Sequence, residues 1–185
     1  MGSPINTPAW ESQPSMAADV NTLYFVSNRR GGYGGTDIWR TTLKNGKWTI
    51  PVNLGPKINT RGDEQFPFIH PDGKTLYFTS DGHPGMGQSD IYYCKLEDSK
   101  WGAPVNIGYP INTSANEVGL VVSTDGKLAY FTSGSGGSYD IYYFELYQEA
   151  RPKKVLFIKG EVKDDEGNPV ENATVEVSYK DSGNS

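Results

Sequence analysis

A unit of 53 residues occurs three times in this chain and fixes what the chain can fold into. Ile5-Asn6-Thr7 returns as Ile58-Asn59-Thr60 and Ile111-Asn112-Thr113. At matching offsets Glu11 returns as Glu64 and Glu117, Asp19 as Asp72 and Asp125, and Tyr24-Phe25 as Tyr77-Phe78 and Tyr130-Phe131. A repeat of this length, built of short β-rich runs between Gly, Pro and Asp turns, belongs to an array of four-stranded propeller blades. A residue present in every copy is first of all scaffold. Function is therefore sought where the copies differ, or on surfaces they build together.

Each unit reads as four strands. The innermost is expected near Pro14–Ala17, Pro67–Ile69 and Leu120–Val122, and ends in a turn at Asp19-Val20-Asn21, Pro71-Asp72-Gly73 or Asp125-Gly126. Asp suits such turns because its carboxylate bonds nearby amides, and Gly because it accepts positive φ. The second strand is expected at Thr22–Ser27, Thr75–Ser80 and Leu128–Ser133. The third opens with Asp-Ile-aromatic at Asp37, Asp90 and Asp140, with apolar residues at successive positions, as in a strand covered on both faces. The outermost starts near Trp48 and Trp101 and runs to Val52-Asn53-Leu54-Gly55 and Val105-Asn106-Ile107-Gly108. Gly2 aligns with Gly55 and Gly108, so Met1–Pro4 reads as the tail of an outer strand, and the third unit shows no Trp-containing outer strand.

The fold class expected is all-β: a partial β-propeller of three four-stranded blades, the last incomplete, plus a truncated β-sandwich-like segment. The propeller sector is placed at residues 1–152, with blades at about 5–57, 58–110 and 111–152, and the second unit at 153–185. In that second unit Gly160–Val170 reads as strand, turn and strand restart, and Ala173–Val177 alternates with period two. An open sector leaves apolar blade faces uncovered, so self-association is one expectation.

Two stretches resemble known families. His70-Pro71-Asp72-Gly73 followed by Leu76–Asp81 and Ser89-Asp90-Ile91-Tyr92 resembles the WD40-like Pro-Asp propeller repeat of TolB; the first and third copies match it less fully. The longer phrase from Ile5-Asn6-Thr7 through Leu23–Arg29 to Gly31–Trp39 resembles the propeller of OmpA-family envelope proteins of Bacteroidetes-type bacteria. The spacing of Gly160, Val162, Asp164, Gly167, Pro169, Ala173, Val175 and Val177 resembles the opening of a carboxypeptidase-regulatory-like domain. That resemblance implies a non-catalytic protein–protein interaction scaffold of the periplasm or outer membrane. Its partner would be an envelope or secretion-system protein, as in the peptidoglycan-associated component of type IX secretion. Peptidoglycan would be reached only through a domain not contained in these residues.

The candidate contact residues come from two places. Glu11, Glu64 and Glu117 precede the innermost strands and would lie near one mouth of the channel, either as a carboxylate ring for a cation or basic segment, or as acceptors for backbone amides. The loops between second and third strands diverge: 12 positions separate Phe25 from Asp37 and Phe78 from Asp90, but 9 separate Phe131 from Asp140. Variable loops on a rigid frame carry specificity, which singles out Arg29, Arg30, Tyr33 and His83.

Other chemistries find little support. A net charge of −5 with no Lys/Arg run longer than two residues argues against nucleic acid. The histidines, His70 and His83, join no Cys/His cluster, and Asp37, Asp90 and Asp140 lack the spaced carboxylates of a calcium loop, so neither a metal nor another cofactor is expected. Cys94 reads as a buried thiol. Gly31–Gly35 lacks the Lys-Ser/Thr and the helix of a phosphate cradle. No Gly-x-Ser-x-Gly elbow or Ser/His/Asp set is present, so no enzyme is expected. The surplus of Tyr and Trp leaves a carbohydrate-binding or glycan-processing propeller as the alternative, although these aromatics sit at strand positions where packing between blades is their ordinary role. No segment reaches the ~20 apolar residues of a membrane helix, and no export signal is seen.

Overall fold

The computed structural model describes residues 1–134, 137–158 and 160–176. All regular structure among them is β. Two compact units divide the chain, Met1–Val155 and Leu156–Ser185.

The first unit holds three blades. Blade 1 is β1 (Glu11–Met16), β2 (Thr22–Ser27), β3 (Asp37–Lys44), β4 (Lys47–Trp48) and β5 (Val52–Asn53). Blade 2 is β6 (Glu64–Ile69), β7 (Thr75–Ser80), β8 (Asp90–Glu97), β9 (Lys100–Trp101) and β10 (Val105–Asn106). Blade 3 is β11 (Glu117–Val122), β12 (Leu128–Ser133) and β13 (Asp140–Glu145). Every pairing between these strands is antiparallel, in chain order from the innermost outward. The second and third strands have the bounds and starts expected from the repeat.

Two elements differ from expectation. Each innermost strand starts at the glutamate itself, and its register shifts at a bulge between Ser12 and Ser15, Gln65 and Phe68, and Val118 and Val121. The bulge puts Gln13, Phe66 and Gly119 at φ of 52°, 50° and 68°, a region that side chains with a Cβ rarely occupy. The outer strand is broken in two: β4 and β5 both pair with β3, and β9 and β10 both pair with β8. Pro51 and Pro104 sit immediately before β5 and β10, where a residue without an N–H interrupts the ladder.

The core lies between blades. Ala17, Tyr24 and Ile38 of blade 1 pack with Ile58, Ile69, Leu76, Phe78, Tyr92 and Cys94. Tyr77, Ile91 and Tyr93 of blade 2 pack with Leu120, Val122, Ala129 and Phe131 of blade 3. Burying each of the Ile, Leu, Val and Phe side chains among them contributes about 1.5–3 kcal/mol. Cys94 is buried, and burial pushes its thiol well above the ordinary range. After β13 the chain does not leave the propeller. Leu146 and Ala150 are buried in the blade 2–blade 3 core, Lys153 N–H donates to Asp72 Oδ2 at 3.0 Å, and Val155 N–H to the Thr124 carbonyl at 3.0 Å. Residues 146–155 thus form a strap across two blades.

In the second unit Lys163 pairs with Pro169 across a turn, and Val170 N–H donates to the Val162 carbonyl at 3.0 Å. Asp164 Oδ1 holds the turn through the amides of Glu166 (3.0 Å) and Asn168 (2.8 Å). Residues 173–176 form no strand, and Val177 lies outside the described residues.

Candidate functional site

The surface expected to carry function is the edge where the loops between second and third strands meet the connectors between blades. Its frame is a carboxylate brace built identically in each copy. Glu64 accepts from Thr60 N–H (2.7 Å) and from the hydroxyls of Thr60 (2.6 Å) and Ser80 (2.7 Å). Glu117 does the same with Thr113 (3.0 and 2.7 Å) and Ser133 (3.1 Å), and Glu11 with Thr7 (3.0 and 2.5 Å) and Ser27 (3.1 Å). Glu64 and Glu117 are fully buried. Burial raises the Glu64 carboxyl above its ordinary value despite its three donors. At Glu11 burial acts in the same sense but is outweighed by Thr7, Ser27 and the Arg29 charge, so its value is lowered. Each carboxylate ties its connector to its second strand.

A second carboxylate closes each long loop. Asp37 Oδ2 accepts from Tyr33 N–H at 2.7 Å, and Asp90 Oδ2 from the amides of Met86 (2.6 Å) and Gly87 (3.2 Å). Burial raises the Asp37 value, and the Oδ1 of both Asp37 and Asp90 is buried without a partner. Asp140 opens the third strand of blade 3 from an exposed position, accepting from the Ser138 hydroxyl at 3.0 Å.

The loop candidates fall into two kinds. Arg29 and His83 turn inward. Arg29 donates to Ile5 O (2.6 Å), Pro4 O (3.3 Å) and Glu11 (3.2 Å), with its guanidinium over the rings of Phe25 (4.9 Å) and Trp39 (5.3 Å). His83 Nε2 donates to Ile58 O at 2.8 Å, and its ring packs on Phe78 and Tyr92. An arginine and a histidine thus perform one job, holding the carbonyl of the Ile that opens the connector. Arg30 and Tyr33 are exposed, as is Met86 at the tip of the second loop. Thr7, Pro8 and Ala9 of the connector, with Asn28, Arg29 and Arg30 of the loop, line an open cleft of about 600 Å3. The structure therefore brings Glu11, Arg29 and Arg30 together, and Glu64 with His83, but does not gather the three glutamates into one site. The inward role of Arg29 and His83 has no sequence signal, because the two residues occupy different positions in the repeat.

Among the described residues no group of three His, Cys, Asp or Glu side chains is placed to hold a metal ion. His70 is buried, with Nε2 at 3.1 Å from the Ser123 carbonyl of the next blade.

Comparison of this architecture with solved structures finds propellers. TolB of Acinetobacter baumannii superposes with a TM-score of 0.54 and 21% identity over 86% of this chain. The fold is that of a TolB-type β-propeller. A TolB-type protein of Agrobacterium tumefaciens matches with a TM-score of 0.54 and 16% identity over 80% of the chain. A puromycin-hydrolysing peptidase of Mycobacterium tuberculosis reaches a TM-score of 0.54 at 14% identity over 84% of the chain. The chain spans 36%, 48% and 24% of these three proteins, respectively. At such identities the likeness is one of fold. Neither protein-family models nor curated proteins give a match to the sequence. Among the described residues no helix is long and apolar enough to cross a membrane.

Proposed function

We propose that this chain is a non-catalytic protein–protein interaction scaffold of the bacterial cell envelope, acting at the periplasmic face of the outer membrane as part of a larger OmpA-family, peptidoglycan-associated protein. The observation that carries the reading is the division of labour around the loops. The side chains that repeat or converge (Glu11, Glu64, Glu117, Arg29 and His83) stiffen the frame, while Arg30, Tyr33 and Met86 stand in solvent on loops that differ between copies. A rigid frame with variable, exposed tips lowers the ordering cost of binding and leaves specificity to the tips. Arg and Tyr are also the side chains that most often anchor interfaces. The TolB-type fold and the resemblance of the repeats to envelope propellers supply the setting, with a secretion-system component as the partner class. Peptidoglycan contact in this reading belongs to a separate domain.

Affinity capture from an envelope lysate tests it. The wild-type chain should retain a defined protein that an Arg30→Ala/Tyr33→Ala double variant of equal stability loses. Equal recovery by both chains, or by neither, would reject these tips as the contact.

A further inference from the structure

The strap is held at the junction of blades 2 and 3 by side chains whose repeat partners stand at the junction of blades 1 and 2. Where the strap lies, the Tyr77 hydroxyl donates to the Ala150 carbonyl (2.6 Å), Asp72 Oδ2 accepts from Lys153 N–H (3.0 Å), and the Tyr147 ring meets Tyr93 edge-on at 6.4 Å. Pro152 covers the Asp turn of blade 3, so that a Cβ on Gly126 would stand 3.0 Å from it. Leu146 at the start of the strap is 0% exposed.

One repeat earlier the same positions border an open groove. Asp19, Tyr24, Arg40, Gly73 and Leu96 stand where the strap's junction has Asp72, Tyr77, Tyr93, Gly126 and Leu146, and they line a groove of about 350 Å3. Nothing lies within 4 Å of a Cβ built on Gly73, and Leu96 is only half-buried. Asp19 Oδ2 accepts from the Thr22 hydroxyl (2.8 Å) as Asp72 Oδ2 does from that of Thr75 (2.8 Å). Among the described residues, however, no backbone N–H does for Asp19 Oδ2 what Lys153 does for Asp72, and no carbonyl accepts from the Tyr24 hydroxyl, whose charged neighbour is Arg40. After Leu96 the chain turns into β9, and Trp101 meets Tyr24 edge-on at 6.2 Å while leaving the groove open beside it.

The two junctions differ in charge where Arg40 replaces Tyr93. Arg40 is exposed and, among the described residues, joins no ion pair. It also borders an adjoining cleft with Lys57 and Lys100, which no carboxylate lines. The carboxylates at the groove itself, Asp19 and Asp72, are engaged by the amides of their own turns at 2.8–2.9 Å. A segment held here as the strap is held therefore meets positive charge at the place where the strap puts the Tyr147 ring.

We infer that the groove between blades 1 and 2 binds an extended segment of a partner protein that carries an Asp or Glu opposite Arg40. The main chain of the segment accepts from the Tyr24 hydroxyl and donates to Asp19 Oδ2, a proline or small residue lies over Gly73, and the carboxylate pairs with Arg40, with Lys57 and Lys100 adding to the attraction. Main-chain bonds then supply affinity and the charge supplies selectivity. This goes beyond the scaffold reading and does not depend on it: β2 runs from Thr22 at the groove to Ser27 at the loops, so Arg30 and Tyr33 lie at the other end of the blade.

The strap supplies the probe. A synthetic peptide of residues 146–155 carrying Tyr147→Glu is titrated into the 185-residue chain by isothermal calorimetry, beside a peptide carrying Tyr147→Lys and the unmodified one. The Glu peptide should saturate the wild type below about 1 mM, and Arg40→Glu, at an exposed position, should weaken it about tenfold at an unchanged melting temperature. The Lys peptide should show the reverse preference, binding R40E about tenfold more tightly than wild type. The inference is overturned if no peptide binds, or if R40E leaves the affinities unchanged, which would put the peptide in the strap's own junction. It is equally overturned if the unmodified peptide binds wild type as well as the Glu peptide does, which would make the occupant the strap of a second copy.

Discussion

The Tyr77 hydroxyl of blade 2 donates to the Ala150 carbonyl at 2.6 Å, joining points 73 residues apart in the chain. Tyr77 is fully buried, and burial raises its phenol well above the ordinary value, so it stays a donor. The bond fastens the strap of residues 146–155, which Arg151 Nε stiffens by donating to Leu146 O at 2.6 Å.

Tyr77→Phe keeps the ring and leaves the Ala150 carbonyl without this donor. The expected cost is about 1–2 kcal/mol, read from urea denaturation. Protease cleavage within the strap should accelerate relative to cleavage elsewhere, because the strap rather than the blade loses its tether.

Asn59→Ala removes three bonds at once: to the Ile38 N–H, to the Ile38 carbonyl, and from Nδ2 to Asn53 Oδ1 at 2.8 Å. The Ile38 amide is left buried and unpaired, so a loss of about 2–4 kcal/mol is expected. Thermal melting checks this; a change below about 0.5 kcal/mol, the level of an ordinary surface substitution, would contradict the clamp.

The Asp72 carboxyl is held below the ordinary carboxylate range. Burial opposes its charge but is outweighed by hydrogen bonds from the His70 side chain, the amides of Lys74 and Lys153, and the Thr75 hydroxyl. A depressed folded-state value means the unfolded chain binds the proton more readily. Asp72 therefore contributes stability above its unfolded value of about 3.9, and this is lost as pH falls toward the folded value. Asp72→Asn should flatten the fall in stability below about pH 4, measured by denaturation across a pH series. Glu64 has the opposite sign: its raised value makes ionisation costly in the folded chain, so its contribution improves as pH falls through that value.

Arg29 and Arg30 are adjacent but should respond differently. Arg29→Ala removes a salt bridge to Glu11, two bonds to connector carbonyls and the cation over two aromatic rings. About 2–3 kcal/mol should be lost. Arg30→Ala should leave the melting temperature within about a degree or two of wild type, as an exposed side chain away from buried networks does. Differential scanning calorimetry on the two variants separates the supporting residue from the exposed tip.

The sequence by itself determined the 53-residue period, the second strands, the start of every third strand at Asp, and the Asp turns. These features rest on local chemistry: Asp oxygens reach amides two or three residues away, and strand side chains alternate, so neighbouring letters suffice. The tertiary structure decided the rest. Gln13, Phe66 and Gly119 share a bulge though nothing in their chemistry is common, and Gln13 Oε1 accepts from Phe66 N–H across the junction between blades. Arg29 and His83 converge on one role from positions that do not align, and the strap finds Tyr77 only once the blades are stacked. Such contacts join residues far apart in the chain, and their energy exists only when the intervening chain is folded; the repeat fixes the blade, and packing between blades fixes what each loop side chain is free to do.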